Sequence, residues 1–527
     1  MGCCASRPEE DTRATEDTQR DREDLVESIK KGPPSLPPTP QDLKRKRKAK
    51  SDASLSLVKG LRRGSFVKSV QGSVRQYYKI VKTLCKGTDK EVFIVLDKRT
   101  QLKRILKQYK KTKDDPEGYL KFMHQVEILK DLDHPNISKI YESLESSSCY
   151  YIISEYLDGG ELLQKIISNS YLNDNMASRC MIDIFNGLNY CHKSGIIHAN
   201  IKPDNLFFES KAPDSRLKIA NFDLSSYTNK KRKLNPAVRS MYYVAPEVLV
   251  GDYDERCDIW SAGVVLHIMV TGKLPFTGQT KEEIVSSMKE GLKLDATEWT
   301  QYPDGVKDLL QRLLTYDPDD RITIEEAINH PWIQSNLEKP SGDNPVYLAA
   351  LKNLNEFRAK SNFEKYILTF IASHLLTTEE EKELSDLFQE LDTNKDGKLS
   401  REELIAGYER SDIHTHIEID AIMKYCDSDG SGSIEFSEFL TAALDWNKMI
   451  SEETLEKAFK LYDISGDGTL CWNEIKYCMP MVSRKELKNF MRMIDSNLDR
   501  VISYEEFIEY MQNYLMKQSK LSSSRSL

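Results

Sequence analysis

The sequence predicts an α+β domain in two lobes followed by an all-α module, and three observations carry that reading. Residues 76–333 alternate short apolar strand patterns with helical ones, strand-rich first and helix-rich afterwards. Residues 377–517 hold four copies of one unit, starting at Asp392, Asp427, Asp463 and Asp495, at intervals of 35, 36 and 32 residues. Charge is segregated along the 527 residues. Eleven Lys/Arg stand against one Asp over 44–75, whereas 31 Asp/Glu stand against 16 Lys/Arg over 379–517. The overall net charge of −8 hides a basic arm suited to an anionic surface and an acidic module suited to cations or basic helices.

Taken in order, residues 1–75 are polar, with Pro33, Pro34, Pro37, Pro38 and Pro40 clustered, and are expected to be disordered. Their first residues, Met1-Gly2-Cys3-Cys4-Ala5-Ser6, fit the myristoylation pattern, with Gly2 the acceptor and Cys3 and Cys4 placed for palmitoylation. One myristoyl chain holds a protein at a bilayer only marginally. The second signal is palmitate or the run Lys44-Arg45-Lys46-Arg47-Lys48 drawn to anionic lipid. The expected location is the cytoplasmic face of a membrane, with a cytosolic pool. No apolar run reaches the 18 or so residues of a spanning helix. The ten cysteines contain no CxxC pair, which argues against a zinc site or a disulfide framework. Residues 334–376 bridge the two modules. Phe363, Tyr366, Ile367, Phe370 and Ile371 recur there at helical spacing, as expected of a regulatory helix. Residues 518–527 form a Lys/Ser-rich tail.

The four repeats have the ligand spacing of EF-hand loops, with oxygen donors at positions 1, 3, 5, 7, 9 and 12 and glycine at position 6. Loop one offers Asp392, Asn394, Asp396, Lys398 (through its carbonyl), Ser400 and Glu403. Loop two offers Asp427, Asp429, Ser431, Ser433, Glu435 and Glu438. Loop three offers Asp463, Ser465, Asp467, Thr469, Cys471 and Glu474. Loop four offers Asp495, Asn497, Asp499, Val501, Ser503 and Glu506. Gly397, Gly432 and Gly468 supply the sharp turn, but loop four has Arg500 there, which strains the backbone and adds a like charge. Loop four is therefore expected to bind Ca2+ most weakly. Leu399, Ile434, Leu470 and Ile502, at position 8, suit a short β pairing between loops.

The preceding domain carries a second ordered set of motifs. Lys107 ends Arg104-Ile105-Leu106-Lys107, and His134-Pro135-Asn136-Ile137 and Gly159-Gly160-Glu161-Leu162 follow. Then come His198-Ala199-Asn200-Ile201-Lys202-Pro203-Asp204-Asn205, Asn221-Phe222-Asp223, Ala245-Pro246-Glu247, Asp258-Ile259-Trp260-Ser261 and Arg321. In this set the chain resembles the protein kinase fold, and, with the calmodulin-like module behind it, the calcium-dependent serine/threonine protein kinases over residues 77–517. The resemblance implies a bilobal kinase fold over 76–333. It also implies a nucleotide site that includes Gly87, Val92, Lys107, the hinge residue Glu155, Asn205 and Asn221.

The departures from that family pattern are systematic. Asn200 stands where an aspartate would accept the substrate proton, and Asn221 where an aspartate would hold Mg2+. An amide is neutral, a poor base and a weak ligand for a hard cation. The glycine-rich loop keeps only Gly87, Gln125 replaces the glutamate that pairs with the strand lysine, and Ala199 replaces an arginine. Lys202 and Asn205 remain. A positioned base is worth about 10²–10⁴ in rate, and the metal carboxylate serves a separate electrostatic effect. The expectation is a pseudokinase that binds ATP and Mg2+ weakly at most. Ca2+ would be its true cofactor, capture of the bridge helix its switch, and a protein partner or substrate its target, with no role in nucleic-acid binding. The alternatives are an active kinase with a displaced metal site, and a calcium sensor whose kinase fold is inert packing.

Overall fold

The computed structural model describes residues 67–523 apart from 72, 89, 113–115, 229–240, 295–296, 338–343, 359–361, 412, 414–416 and 480–481. The expectations for Gly2, Cys3, Cys4 and the basic run at 44–48 lie outside the described residues. The described chain falls into two compact units: residues 159–337, and residues 67–158 together with 344–523.

The second unit opens with a six-stranded sheet of β1 (Lys68–Gln71), β2 (Tyr78–Lys86), β3 (Lys90–Asp97), β4 (Lys103–Lys110), β5 (Ile140–Glu145) and β6 (Cys149–Glu155), in the order β1-β5-β6-β4-β3-β2. Strands β2 to β6 pair antiparallel, as short connections allow, while β1 runs parallel to β5. β1 lies inside the segment expected to be disordered, so ordered structure begins before residue 76. The edge of β5 offers unpaired backbone N–H and C=O groups, and β1 satisfies them. Val95, Leu106, Leu144 and Ile153 alternate into the sheet's buried face. Helix Pro116–Asp131 buries Phe122, Val126, Ile128 and Leu129.

The same unit contains the four loops, joined in pairs by short antiparallel ladders. Leu399 lies opposite Ile434, and Leu470 opposite Ile502, all fully buried. The position-8 residues thus pair as their apolar, β-favouring character suggests. The bridge holds two helices, where the spacing indicated one. Pro345–Glu356 is capped by Asn344, whose side chain accepts from the Val346 N–H, with Pro345 in the first turn. It buries Ala350, Leu351 and Leu354. The second helix, Asn362–Leu375, buries Tyr366, Ile367, Phe370 and Ile371, and also Thr369 and Ser373. Burial all round makes it a core element of the module. Phe370 packs against Tyr462 with ring centroids 4.4 Å apart, and Thr441 Oγ1 donates to Thr369 Oγ1 at 3.1 Å. The last helix, Tyr504–Ser523, runs on into the segment expected to be a tail.

The unit at 159–337 is helical around Asp174–Lys193 and Arg256–Thr271. Trp260 stacks on Phe276 at 5.3 Å, and the Arg321 guanidinium lies 5.2 Å from the Trp260 ring. Arg321 also forms a bidentate, buried pair with Glu247, at 2.6 and 3.1 Å. Asp258 is wholly buried.

Candidate functional site

In the helix-rich lobe the loop at 198–205 is shaped by one carboxylate. Asp258 accepts from the backbone N–H of His198 at 2.9 Å and of Ala199 at 2.7 Å, and His192 Nε2 lies 3.1 Å away. Burial alone would raise the Asp258 pKa, but the hydrogen bonds and charge of its histidine neighbours hold it below the ordinary carboxylate value. The clamp fixes Ala199 in the left-handed region, at φ 61°. From this loop a chain of amides runs outward. Asn205 Nδ2 donates to the Asn200 carbonyl at 2.7 Å, and Asn221 Nδ2 donates to Asn205 Oδ1 at 2.8 Å.

The orientation of this chain follows from what each group can do. A carbonyl only accepts, so the NH2 of Asn205 must face Asn200, which turns Asn205 Oδ1 toward Asn221. That oxygen also only accepts, so Asn221 must present its NH2. With an aspartate at 221, two oxygens would face each other across this gap and would need a cation between them. Here an N–H stands where that cation would act. Asn221 has φ 65° and ψ 59°, a left-handed conformation that asparagine tolerates better than most residues. The Asn205–Asn221 pair does not fit a hard divalent cation. Lys202 Nζ lies 3.8 Å from Asp204 Oδ2, two residues on, and Asn200 brings an amide to the position of the base.

The remaining nucleotide-site candidates lie in the strand-rich lobe. Val92 stands opposite Lys107 in the β3–β4 register, and Lys107 is buried. Glu155 ends β6; its carboxylate accepts from the Lys139 N–H at 3.0 Å. Gly87 donates its N–H to the Lys90 carbonyl at 2.8 Å, and a Cβ at Gly87 would meet that oxygen at 2.9 Å, so this turn requires glycine.

Each calcium loop is wrapped around its own carboxylates. In loop two, Asp427 accepts from the N–H groups of Gly430, Ser431 and Gly432 at 2.7, 3.0 and 2.9 Å, and Glu438 accepts from Ser428 and Glu435 at 2.6 and 3.0 Å. Ligand oxygens of Asp427, Asp429 and Glu438 lie within 4.8 Å of one another. Burial pushes the Glu438 carboxyl well above its usual value. In loop one, Asp392 accepts from Asp396 and Gly397, and Glu403 from Thr393, Asn394 and Ser400. Burial lifts Asp392 to about 7. Lys398, whose carbonyl is the position-7 candidate, sends its ammonium to Glu435 of loop two at 3.1 Å. Loop three repeats the pattern, with Gly466 and Gly468 N–H on Asp463, Thr469 N–H on Asp467, and Ser465 and Cys471 N–H on Glu474. Loop four does so too, with Asp499 and Arg500 N–H on Asp495, Ser496 and Ser503 N–H on Glu506, and Val501 N–H on Asp499, whose other oxygen takes Asn497 Nδ2. Arg500 takes the turn with φ 76°. Among the described residues, loop two alone brings three carboxylates within 4.8 Å of one another, while all four loops bury the twelfth-position glutamate that a Ca2+ site needs.

A second group of functional residues was not singled out from the sequence. The strand-rich lobe grips the calcium module through residues in and around His134-Pro135-Asn136-Ile137. Asp133 Oδ2 accepts from the Ser437 N–H at 2.9 Å, at the start of the helix that carries Glu438. Lys139 forms a buried ion pair with Glu381. Gln389 donates to Asn136 at 2.5 Å. Arg104 stacks over Tyr141 at 3.9 Å and donates to the His374 carbonyl at 2.8 Å, at the end of the second bridge helix. The motif reads as a kinase landmark, and nothing in its spacing signals a docking role.

These sites define a two-lobed protein kinase fold followed by an EF-hand module. Residues 78–333 match the protein kinase domain family, and residues 381–444 and 452–512 match the EF-hand domain pair. The chain is 36% identical over 469 residues to calcium-dependent protein kinase 4 of Plasmodium falciparum, a match that covers 85% of this chain and 88% of that protein. It is 34% identical over 465 residues to calcium-dependent protein kinase 3 of Plasmodium berghei, covering 86% and 83%. It is 32% identical over 439 residues to calcium-dependent protein kinase 5 of Plasmodium falciparum, covering 81% and 76%. The chain belongs to the calcium-dependent protein kinase family, and Ca2+ is the cofactor of its carboxy-terminal module.

Proposed function

We propose that this member of the family is a calcium-responsive pseudokinase, held at a membrane by an acylated amino terminus and acting through a protein partner. The observation that carries the reading is the 2.8 Å hydrogen bond from Asn221 to Asn205. It ties up the oxygen with which Asn205 would meet a metal, and Asn200 offers no base. Ca2+ acts on the other unit. Glu438 closes loop two from the helix whose first turn Asp133 holds, so loading the loop shifts the module's grip on the strand-rich lobe. The output is a changed binding surface.

A second reading, an active serine/threonine kinase, is favoured by the names of the relatives and by Asp223, an exposed carboxylate two residues past Asn221. A radiometric transfer assay at saturating Ca2+, with Mg2+ or Mn2+, separates the two. The wild type should stay at background, and Asn200→Asp/Asn221→Asp should gain at least about 10²-fold. Stoichiometric autophosphorylation by the wild type, abolished in Lys107→Ala, would establish the second reading. For the anchor, Gly2→Ala should leave the protein cytosolic. Cys3→Ser/Cys4→Ser should give a weak, salt-sensitive association carried by myristate at about 10⁴ M⁻¹ and by the run at 44–48. Cell fractionation reads both, and a Gly2→Ala protein that remains fully membrane-bound would place the anchor elsewhere.

A further inference from the structure

The fourth hand departs from the other three in a way that calcium binding does not explain. Its entering helix, Arg484–Ile494, buries Leu487, Phe490, Met491 and Ile494 against the module. On the opposite side Arg484, Lys488 and Arg492 recur every four residues and so share one face, with Lys485 beside them. All four are exposed, as is Arg500 in the loop that follows. None of the five forms an ion pair among the described residues. Within a module of 31 acids and 16 bases, Ser483–Arg500 has five bases and three acids.

Apolar side chains flank this basic face. Met493 is 65% exposed and Leu498 is 74% exposed. Leu498 sits at position 4 of loop four with φ 63°, and Arg500 at position 6 with φ 76°. Loops two and three place glycine at both positions, Gly430 and Gly432, Gly466 and Gly468, and those glycines reach positive φ without strain. Loop four thus holds a leucine and an arginine in left-handed backbone, and projects both into solvent. Lys395 of loop one also takes position 4 at φ 54°, so the left-handed side chain particular to loop four is Arg500 at position 6.

We propose that the outer face of the fourth hand is an anionic-membrane contact: Lys485, Lys488, Arg492 and Arg500 lie on lipid headgroups, and Met493 and Leu498 enter the acyl boundary. Cations around protruding aliphatic side chains suit a charged interface with an apolar interior. Phe490, the aromatic residue of 484–500, is buried, so this stretch offers no ring on which a nucleobase could stack, which sets it apart from a single-strand nucleic-acid surface. The contact is independent of the amino-terminal anchor and would orient a chain that the anchor merely tethers.

The test uses full-length protein made without acyl chains, in constant Ca2+, sedimented with vesicles of phosphatidylcholine alone or mixed with phosphatidylserine. Wild type should bind the mixed vesicles and not the neutral ones. Each cation near such a surface is worth about fivefold, so Lys485→Gln/Lys488→Gln/Arg492→Gln should weaken binding about a hundredfold. Met493→Ser/Leu498→Ser should weaken it several-fold and leave the salt dependence unchanged. Unaltered Ca2+ stoichiometry and thermal melting show that the variants fold. A chain with Lys44–Lys48 neutralised separates the two basic regions. If that change abolishes binding while the triple variant binds like wild type, the inference is overturned and the reading of the amino-terminal arm stands. Equal binding to neutral vesicles, or triple-variant affinity equal to wild type on mixed vesicles, also overturns it; the latter would assign the face to an acidic protein surface instead.

Discussion

In loop two of the calcium module, Asp427, Asp429 and Glu438 bring ligand oxygens within 4.8 Å of one another, while in the helix-rich lobe the facing pair at Asn205 and Asn221 is bridged by a hydrogen bond of 2.8 Å. Both sites are built at turns. One gathers carboxylates that accept from backbone N–H groups, and burial pushes Glu438 toward its protonated form, so a cation arriving there displaces a proton. The other has exchanged charge for an internal donor and is complete as it stands. The same lobe nevertheless keeps its structural carboxylates, Asp258 under the loop and Glu247 on Arg321. Charge has gone from the positions that would do chemistry and has been kept at the positions that hold the fold.

The sharpest way to break this comparison is to remove a retained carboxylate. Asp258→Asn would leave one of the N–H groups of His198 and Ala199 facing an NH2 in a fully buried site. The expected loss is about 3 kcal/mol of stability, read by denaturant unfolding. A loss below about 1 kcal/mol would mean that the loop does not depend on Asp258. At the calcium site, Glu438→Gln should lower loop-two affinity on the order of 10–100-fold by calorimetry. An unaltered number of titrating sites would remove Glu438 from the ligand set.

A third test uses protons as the competing ligand. Burial holds Asp392 at about 7, against an unfolded carboxyl near 3.8. The raised value means that the ion-free loop prefers the protonated form, whereas Ca2+ requires the carboxylate. Affinity at loop one should therefore fall about tenfold per pH unit below 7 and level off above it. In loop three, Glu474 and Asp467 are held below their ordinary values, the first by hydrogen bonds from the Cys471 and Ser465 N–H groups that outweigh its burial and the second by the N–H and hydroxyl of Thr469, so this loop should be insensitive over the same range. Parallel pH profiles for the two loops would show that burial does not set the difference.

Much of this was legible in the sequence, because ligand spacing and ordered motifs are local signals. The loop starts, the position-8 pairing of Leu399 with Ile434 and Leu470 with Ile502, and the family all follow from such patterns. Features that depend on distant partners were not legible. β1 forms because β5 has an open edge, and the docking roles of Asp133 and Lys139 exist only once Ser437 and Glu381 are brought beside them. The amide bridge is intermediate: the sequence identifies Asn221 as a lost charge, and only the geometry shows that its NH2 donates to Asn205 Oδ1.

The smallest expected effect concerns where loop four's strain is felt. From sequence, Arg500 suggests a direct penalty on Ca2+ binding. In the structure its backbone lies at φ 76°, with its N–H on Asp495 Oδ2 at 2.9 Å, the turn that Gly432 and Gly468 make in loops two and three. A turn set by folding rather than by the ion would place its strain in folding and leave only the arginine's charge to oppose the cation. Arg500→Gly should raise the stability of the ion-free module by about 1 kcal/mol, since glycine accepts the left-handed region but loses more chain entropy on folding. The accompanying gain in loop-four affinity should be modest and should shrink as salt is added, because a screened exposed charge carries it. A salt-independent gain of tenfold or more would mean that Ca2+ drives the turn into its strained form, and the ion-free geometry of loop four would then differ from that of loop two.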